Sequence, residues 1–335
     1  MIKILVDTLG GDNSPNANIE GALTALKNIK DVELILVGNK EVIEERLNGK
    51  KYDRERLKVV HAPDVIDCNE KPTEAMKFKT ESSLYKCYEL LKKEKDVGAM
   101  VSTGSTGAIL VGAVLKLGRI KGVKRPAFCP VLPTLNDRIV GICDSGANVD
   151  CDANLLKQFA VMSSLYLSKA YNVTNPRVAL LNVGVEEEKG DLLRKETYQL
   201  LSEDKSLNFV GNVEARDLLD GNCDLVVCDG FSGNVLLKST EGACIKMLKL
   251  VKGAFLSNLK TKLGALLLKK EVGSIKSKMD YNNYGGAVLL GAKKTIVKGH
   301  GSSKATSVYK CIEQAYNMEK NGLREAIESA MTISE

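Results

Sequence analysis

Short runs rich in β-branched residues alternate with helical patterns along this chain of 335 residues, and this alternation constrains its fold more than any other feature. The runs predict strands at residues 3–6, 32–37, 58–61, 97–101, 139–143, 178–183, 224–228 and 295–298. Helical patterns lie between most of them, for example at residues 18–27, 82–95 and 154–171. Strands that alternate with helices form crossover units in parallel sheets. We therefore predict an α/β fold, a three-layer α/β/α sandwich around a mainly parallel, doubly wound sheet.

No linker interrupts this pattern, because the chain has only 7 prolines and neither a glycine- and serine-rich tract nor an internal repeat. We therefore expect a single catalytic α/β domain over residues 1–335, with a basic helical excursion at about 242–280. The apolar runs are far shorter than the roughly 20 residues that a membrane-spanning helix needs. Asp7 follows the first apolar run at once, which is typical of a strand and not of a signal peptide.

Charge and cysteine usage narrow the class of function. The net charge of +6 favours an anionic substrate, an acidic partner protein or an anionic membrane surface. An aromatic content of 5% without tryptophan gives little support for nucleic-acid binding. The nine cysteines form no Cys-x-x-Cys pair and there are two histidines, which argues against a disulfide framework and a zinc site. We expect reduced cysteines, a cytoplasmic protein, and no metal or cofactor.

Polar, glycine-containing loops follow several predicted strands, at residues 102–107, 144–150, 184–190 and 229–234. In an open α/β sheet such carboxyl-end loops face one crevice, where ligands bind. The loop at 102–107 is the best anion cradle, since its glycines allow a tight turn and its hydroxyls and the following helix N-terminus supply donors. A small-residue turn with a helix cap is the alternative. The loop matches neither the Walker A pattern nor the Gly-x-Gly-x-x-Gly fingerprint, which disfavours ATP hydrolysis and ordinary dinucleotide binding.

Sequence signatures of an activated nucleophile are missing, because neither Gly-x-Ser-x-Gly nor His-Glu-x-x-His occurs. Cys151 and Cys228 lie at the ends of strand segments and are interpreted as structural thiols. His61 ends a predicted strand, which favours a structural role. His300 lies in a glycine-containing turn before a helix, where a chemical role and a capping role both stay open.

A basic amphipathic stretch is the second strong feature. Residues 242–270 contain seven lysines and no acid, and residues 254–270 are predicted to form one helix. Leu259, Leu263 and Leu266 recur at helical spacing, and Lys260 and Lys262 mostly lie on the opposite face. Helices of this kind bind anionic membrane surfaces. The alternative is packing against a second copy of the same helix in a dimer.

Short motifs follow one another along most of the chain. The series comprises Asp7-x-x-Gly10-Gly11-Asp12, Ser102-x-Gly104-x-Thr106-Gly107-Ala108, Arg125-Pro126, Gly146-Ala147-Asn148-Val149-Asp150-Cys151, Gly184 with Glu186-Glu187-x-Lys189-Gly190, Gly211-Asn212-Val213-Glu214-x-Arg216-Asp217, Asp229-Gly230-Phe231-x-Gly233-Asn234-Val235, Lys238, Glu241-Gly242, Tyr284-Gly285-Gly286-Ala287 and His300-Gly301-Ser302-Ser303. In this order the series resembles the bacterial phosphate acyltransferase family of phospholipid synthesis, the acyl-acyl carrier protein:phosphate acyltransferases. Departures from the family pattern are modest: Thr8-Leu9, Ser105, Asp191 and Ala215 replace the usual Ala-Met, Asn, Asn and Gly.

The resemblance implies a fold similar to phosphotransacetylases and isocitrate-dehydrogenase-like enzymes. It also implies an acyltransferase that moves a long-chain acyl group from acyl carrier protein to inorganic phosphate, giving acyl phosphate for glycerophospholipid synthesis. The implied partners are acyl carrier protein, a membrane-bound acyltransferase that uses acyl phosphate, an anionic membrane surface and a second copy of the chain. The expected location is cytoplasmic and peripheral to the membrane.

The implied reaction needs no activated serine or cysteine, because phosphate is itself a nucleophile. The enzyme must hold two anionic partners and stabilise the oxyanion of the tetrahedral intermediate. The residues expected to bind phosphate or the acyl group are Ser102, Gly104, Ser105, Thr106, Gly107 and Asn148. Lys189 and Arg216 are expected to neutralise phosphate, with ordinary salt bridges as the alternative.

The need to hold two anionic partners and to stabilise an oxyanion implies roles for further residues. Asn212 and Asn234, together with Asn148, are expected to donate hydrogen bonds to the oxyanion. His300 would bind phosphate or protonate the departing sulfur, and Asp229 would orient a cationic side chain or cap a helix. Contact with the membrane or the carrier protein is expected at Leu259, Leu263, Leu266, Lys260 and Lys262, and residues 116–124 are a second basic surface for the carrier protein.

Two alternative functions remain at this point. A phosphotransacetylase-like enzyme would use acyl-CoA, and it would be recognised by its acyl-chain preference and its indifference to carrier protein. A non-catalytic scaffold would recruit lipid-synthesis enzymes through the basic helix. The clustered polar loops argue against the scaffold, because a scaffold does not need them.

Overall fold

The computed structural model describes residues 1–278 and 281–333, arranged as two β-sheets surrounded by helices. The first sheet contains β1 (Ile2–Asp7), β2 (Val32–Gly38), β3 (Leu57–His61), β4 (Val97–Ser102), β5 (Ala127–Cys129), β11 (Ala287–Leu290) and β12 (Thr295–Lys298). Its order is β3-β2-β1-β4-β12-β11-β5, in which β11 is antiparallel to both of its neighbours and the other pairs are parallel. The first sheet therefore combines an early and a late part of the chain.

The second sheet lies wholly between those two parts in sequence. It contains β6 (Val131–Pro133), β7 (Ile139–Cys143), β8 (Arg177–Leu181), β9 (Asn208–Val213) and β10 (Leu225–Val227). Its order is β6-β7-β10-β8-β9, in which the β6–β7 pair is antiparallel and the other pairs are parallel.

Helices fill the crossovers between strands. They are α1 (Asn16–Asn28), α2 (Lys40–Leu47), α3 (Pro72–Phe78), α4 (Ser83–Lys93), α5 (Thr106–Gly112), α6 (Ala153–Tyr171), α7 (Leu192–Ser202), α8 (Gly230–Phe255), α9 (Leu259–Leu267), α10 (Lys269–Lys278), α11 (Ala305–Lys320) and α12 (Leu323–Ile333). A π-turn over Ala113–Leu117 continues α5. Within the described residues, no helix is long and apolar enough to cross a membrane.

The predicted fold class is confirmed, with one difference: the parallel strands are divided between two sheets. Each predicted strand and each of the three predicted helices is present within a few residues. β5, β6, β9 and β11 were not predicted, and three of these have only three or four residues, too few for a clear alternation. The single domain over residues 1–335 stays a prediction, and its residues 279–280 and 334–335 lie outside the described part.

The largest core cluster joins the two sheets through α6. This helix contacts β11 of the first sheet and β7 and β10 of the second. Phe159 and Tyr166 on α6 are fully buried in that cluster. Because one apolar helix packs on both sheets, the carboxyl ends of their strands are held at a fixed separation, and this places the candidate site.

The basic stretch, residues 242–270, does not form one amphipathic helix. It comprises the second half of α8, then α9, and is called here the helical arm. Only the first turns of α8 are buried, and α9 has no buried residue. The prediction of a continuous helix over 254–270 is wrong, because α8 ends at Phe255 and the Asn258 side chain caps a new helix by accepting from the Thr261 amide at 3.0 Å. Leu259, Leu263 and Leu266 are exposed along α9. Residues 279–280 of the predicted excursion lie outside the described residues.

Candidate active site

A cavity of about 400 Å³ lies where the carboxyl ends of strands from both sheets approach one another. Its polar lining comprises Thr106, Gly107, Ser145, Gly146, Asn234, Lys238, Glu241, Lys298 and His300. Leu110, Phe128, Leu132 and Leu237 are among its apolar neighbours. The cavity therefore brings together three of the four predicted polar loops, or the helices that follow them.

The loop at 102–107 is fixed from behind by a buried carboxylate. Asp7, at the end of β1, accepts hydrogen bonds from the Ser83 hydroxyl at 2.6 Å and the Ser102 hydroxyl at 2.7 Å. The Ser102 Oγ accepts in turn from the Gly104 amide at 3.1 Å. A Cβ on Gly10 would lie 2.6 Å from the Gly104 nitrogen, so only glycine allows the two loops to approach this closely. The Ser102 hydroxyl proton is thus committed to Asp7.

The other members of this loop differ in their access to the cavity. Ser105 is buried and caps α5 by accepting from the Ala108 amide at 3.5 Å. Thr106 and Gly107, in the first turn of α5, line the cavity, whereas Ser102, Gly104 and Ser105 do not. The helix cap that the sequence offered as the alternative function of this loop is present. Phosphate binding by the residues of the loop stays a prediction.

Lys298 contributes the most buried cation of the cavity. It ends β12 and is paired in register with Ser102 on β4, so the two carboxyl ends lie side by side. Burial lowers the pKa of the Lys298 ammonium, and the neighbouring Lys238 lowers this pKa further. An anion that enters the cavity would pair with this ammonium and offset the cost of its burial.

His300 is held in one tautomer beside Lys298. Its Nδ1 accepts from the Ser302 amide at 3.2 Å, and the Ser302 hydroxyl lies 2.8 Å from the same atom. A backbone amide only donates, so the proton of the neutral ring is on Nε2. Burial and the Lys298 charge lower the pKa of His300, which favours this neutral donor form near neutral pH.

Lys298, Lys238 and Glu241 were not predicted as site residues. Burial raises the pKa of Glu241, and the charges of Lys298 and Lys238 oppose that shift. A signal for Lys298 was present, because it ends a predicted strand directly before the His300 turn and carboxyl-end residues face ligands. Lys238 and Glu241 belong to the motif series, but only the α8 helix shows that they line the cavity on the same helix face as Asn234.

The loop after β7 is organised by Asp144, whose carboxylate is fully buried. Asp144 accepts from the backbone amides of Phe128 at 2.9 Å, Ala147 at 3.0 Å and Asn148 at 2.6 Å. The Asn148 side-chain amide donates to the Pro126 carbonyl at 2.8 Å and to Asp144 at 3.0 Å. Both amide protons of Asn148 are therefore used within the fold, which corrects the prediction that Asn148 donates to substrate.

Asp229 performs both of the roles that were left open for it. Its Oδ1 caps α8 by accepting from the Ser232 amide at 2.8 Å, and its Oδ2 pairs with the Arg194 guanidinium. Arg194 also contacts Asp191 at 3.0 Å. The sequence did not single out Arg194 as the cation of this pair.

Lys189, Arg216 and Asn212 do not line the cavity. Lys189 and Arg216 lie after β8 and β9, and Asn212 lies near the end of β9, where its side-chain amide donates to the Glu186 carbonyl at 2.8 Å. Arg216 is paired with Glu214 at 2.6 Å, and its side chain is 77% exposed. Asn234 does line the cavity, and its side chain makes no hydrogen bond within the part of the chain that the structure describes. The roles of these four residues stay predictions.

The thiols are poorly suited to nucleophilic attack. Burial raises the pKa of Cys151 to about 11 and raises the pKa of Cys228 well above its usual range. Across residues 1–278 and 281–333, no group of three or more His, Cys, Asp or Glu side chains is placed to hold a metal ion. The cavity instead offers lysines, amide donors and an imidazole, a set that suits an anion undergoing transfer.

Comparison with known proteins decides the family. A family model described as "Fatty acid synthesis protein" matches residues 2–326. The chain is 47% identical over 332 residues to the phosphate acyltransferase of Thermoanaerobacter pseudethanolicus, covering 98% of both chains. It is 41% identical to that of Clostridioides difficile, covering 97% of this chain and 95% of the other. This chain belongs to the phosphate acyltransferase family. The predicted family and the predicted class of enzyme, an acyltransferase, are confirmed.

Solved structures agree on the fold of this phosphate acyltransferase family member. A phosphotransacetylase from Streptococcus pyogenes superimposes with a TM-score of 0.61 at 16% identity, covering 95% of this chain and 94% of the other. A branched-chain phosphotransacylase from Enterococcus faecalis gives a TM-score of 0.58 at 15% identity, covering 95% and 98%. The predicted similarity to phosphotransacetylases is confirmed at the level of fold.

Proposed function

We propose that this chain transfers a long-chain acyl group from the thioester of acyl carrier protein to inorganic phosphate, giving acyl phosphate and free carrier protein. Family membership supports acyl transfer to phosphate. The observation that carries the assignment to the cavity is its pair of lysines, because Lys298 is partly buried and forms no ion pair with a carboxylate within the described residues. A basic, partly apolar cavity fits phosphate together with a hydrophobic acyl group.

The chemistry requires positioning and charge stabilisation. A phosphate oxygen attacks the thioester carbonyl carbon, the carbonyl electrons move onto oxygen, and the collapse of this tetrahedral intermediate breaks the carbon–sulfur bond. A thiol with a pKa of about 8.5 leaves readily as thiolate. Lys298 and Lys238 hold the phosphate, and the Nε2–H of His300 and the amide of Asn234 face the reacting atoms as donors. Bringing the two reactants together lowers the entropic part of the barrier.

The decisive assay traps the product. Purified protein is incubated with palmitoyl-carrier protein and phosphate, and acyl phosphate is captured as its hydroxamate. Phosphate-dependent hydroxamate above a control without enzyme is the expected result. Activity with acetyl-CoA but not with palmitoyl-carrier protein would instead assign the chain a phosphotransacetylase-like function. The absence of product with both donors would contradict the proposal.

The positions of Lys189 and Arg216 lead to a specific prediction. Because both lie outside the cavity and Arg216 is already paired with Glu214, Arg216→Ala and Lys189→Ala are expected to change KM for phosphate by no more than about twofold. Steady-state kinetics with varied phosphate measure this. A rise in KM well beyond that range in either variant would restore the sequence-based assignment of these two cations to phosphate.

Peripheral membrane association is a further part of the proposal. The helical arm carries exposed apolar side chains, with Leu259 84% and Leu263 63% exposed, beside Lys260 and Lys262. Such a surface binds anionic bilayers by apolar insertion and charge attraction. The arm would place the chain in the cytoplasm at the membrane, where a membrane-bound acyltransferase consumes acyl phosphate. A homodimer is proposed from the resemblance, and light scattering on the purified protein tests it.

Leu259→Glu/Leu263→Glu is expected to abolish binding to vesicles containing anionic lipid, because two carboxylates would enter the interface. Co-sedimentation with liposomes measures the bound fraction. The matched control is Leu115→Glu/Leu192→Glu, which changes two leucines that are 67% and 86% exposed outside the arm. Equal pelleting of wild type and the arm variant would exclude the arm as the membrane anchor.

A further inference from the structure

A second concavity opens beside the candidate active site. It measures about 690 Å³ and is lined by the segment 118–126 together with Leu110, Val114, Ala147 and Asn148. Leu110 lines both this groove and the cavity, and Ala147 follows Gly146 of the cavity directly in sequence. The groove, called here the basic groove, therefore adjoins the cavity where we propose the reaction to occur.

The rim of the basic groove is positively charged without compensation. Arg119, Lys121, Lys124 and Arg125 are all exposed, and residues 114–126 contain no acidic side chain. The side chains of Arg119 and Arg125 donate to the backbone carbonyls of Lys124 and Asp150. None of the four forms an ion pair with a carboxylate in the residues that the structure describes. Four unpaired cations around an apolar floor attract an acidic partner.

The rim is also held rigidly. Gln158 on α6 donates to the Gly122 carbonyl at 2.9 Å and accepts from the Lys124 amide at 3.0 Å. Ile120 and Val123 anchor the segment from below with 6% and 5% exposure. The cations are thus presented on a preorganised loop, so binding there costs little conformational entropy.

We propose that the rim of the basic groove docks the acidic carrier protein, and that the groove leads its acyl thioester to the cavity. This inference rests on the proposed function, which makes a carrier protein the donor. The lysines of α9 are the competing surface. The rim is favoured because its groove shares a wall with the cavity, whereas no residue of α9 lines the cavity.

The test uses the full chain and acidic acyl carrier protein as the probe. Lys121→Glu/Lys124→Glu reverses two rim charges whose side chains form no hydrogen bond or ion pair with any described residue. Its dissociation constant for carrier protein, measured by calorimetry, is expected to rise at least about tenfold, with a weaker dependence on salt. Lys27→Glu/Lys30→Glu, which makes the same charge change on exposed residues of and just after α1, is expected to bind like wild type.

Kinetics separate docking from chemistry. In the rim variant, KM for palmitoyl-carrier protein should rise by a similar factor, while KM for phosphate and turnover of a small palmitoyl thioester without carrier protein stay unchanged. Two results would overturn the docking inference and leave the proposed function standing. The first is an equal loss of activity with both thioesters in the rim variant. The second is carrier-protein binding that is unchanged in the rim variant but weakened in Lys260→Glu/Lys262→Glu. Failure of wild type to bind or use carrier protein would overturn both.

Discussion

Lys298→Met is expected to lower kcat/KM for phosphate by roughly 100- to 1,000-fold, because it removes the most buried cation of the cavity. Methionine has a similar length and avoids the cost of burying an ammonium, so the free energy of unfolding should not fall. Steady-state kinetics with phosphate as the varied substrate measure the effect. Lys298→Arg keeps the charge and should retain more activity than the methionine variant.

The control for this variant is another lysine next to the same strand. Lys294 precedes β12 at its amino end, its Nζ donates to the Lys95 carbonyl at 3.2 Å, and burial lowers the pKa of its ammonium as well. Lys294→Met removes a partly buried cation away from the cavity, so KM for phosphate should stay near the wild-type value. A loss of activity in Lys294→Met as large as that in Lys298→Met would show that the effect is structural.

Lys298 also leads to a pH dependence with a defined sign. Its pKa is lowered by burial, so the ammonium loses its proton at a lower pH than an exposed lysine does. KM for phosphate should therefore be lowest when Lys298 is protonated and should rise as the pH increases through this lowered pKa. In Lys298→Arg that rise should be absent, because a guanidinium keeps its proton across the accessible range.

Asp144→Ala is expected to reduce the free energy of unfolding by roughly 3 kcal/mol or more, because it leaves several buried donors without an acceptor. These donors are the amides of Phe128, Ala147 and Asn148 and the Asn148 side chain. Equilibrium unfolding in urea measures the loss. Activity should fall as well, since the same loop places Ser145 and Gly146 in the cavity.

Asp150→Ala is the control for Asp144→Ala, because Asp150 lies in the same loop with an exposed side chain. Its stability should stay within about 0.5 kcal/mol of wild type. If Asp144→Ala unfolded at the same urea concentration as Asp150→Ala, the buried carboxylate would not be what organises the loop.

The strands were predictable wherever their apolar runs were long enough. Residues 139–143 and 295–298 have the predicted bounds, because β-branched runs there end at polar turns. The division into two sheets was not predictable, since sheet membership depends on which distant strands pair. β12 inserts between β4 and β11, and nothing local to residues 295–298 specifies that position.

The site was predictable only in part, because motifs identify loops but do not show which distant strands lie beside them. Thr106, Gly107, Asn234 and His300 were predicted from loops and motifs, and all four line the cavity. Lys298 was missed because a lysine at the end of a strand normally extends into solvent, and only its register with Ser102 shows otherwise. Two sheets have two carboxyl edges, so the rule that gathers such loops in one crevice did not apply to every loop.

The split origin of the first sheet has a consequence for synthesis on the ribosome. β1 to β5 are complete by residue 129, but the edge of β4 stays open until β12, at residues 295–298, has emerged. The whole second sheet and the helical arm are translated in between. A nascent chain therefore carries an unpaired parallel edge for most of its elongation, which is a template for wrong pairing. The cavity comes into being only at the end of translation, when Lys298 closes that edge, and nascent chains are predicted to depend on chaperones until then.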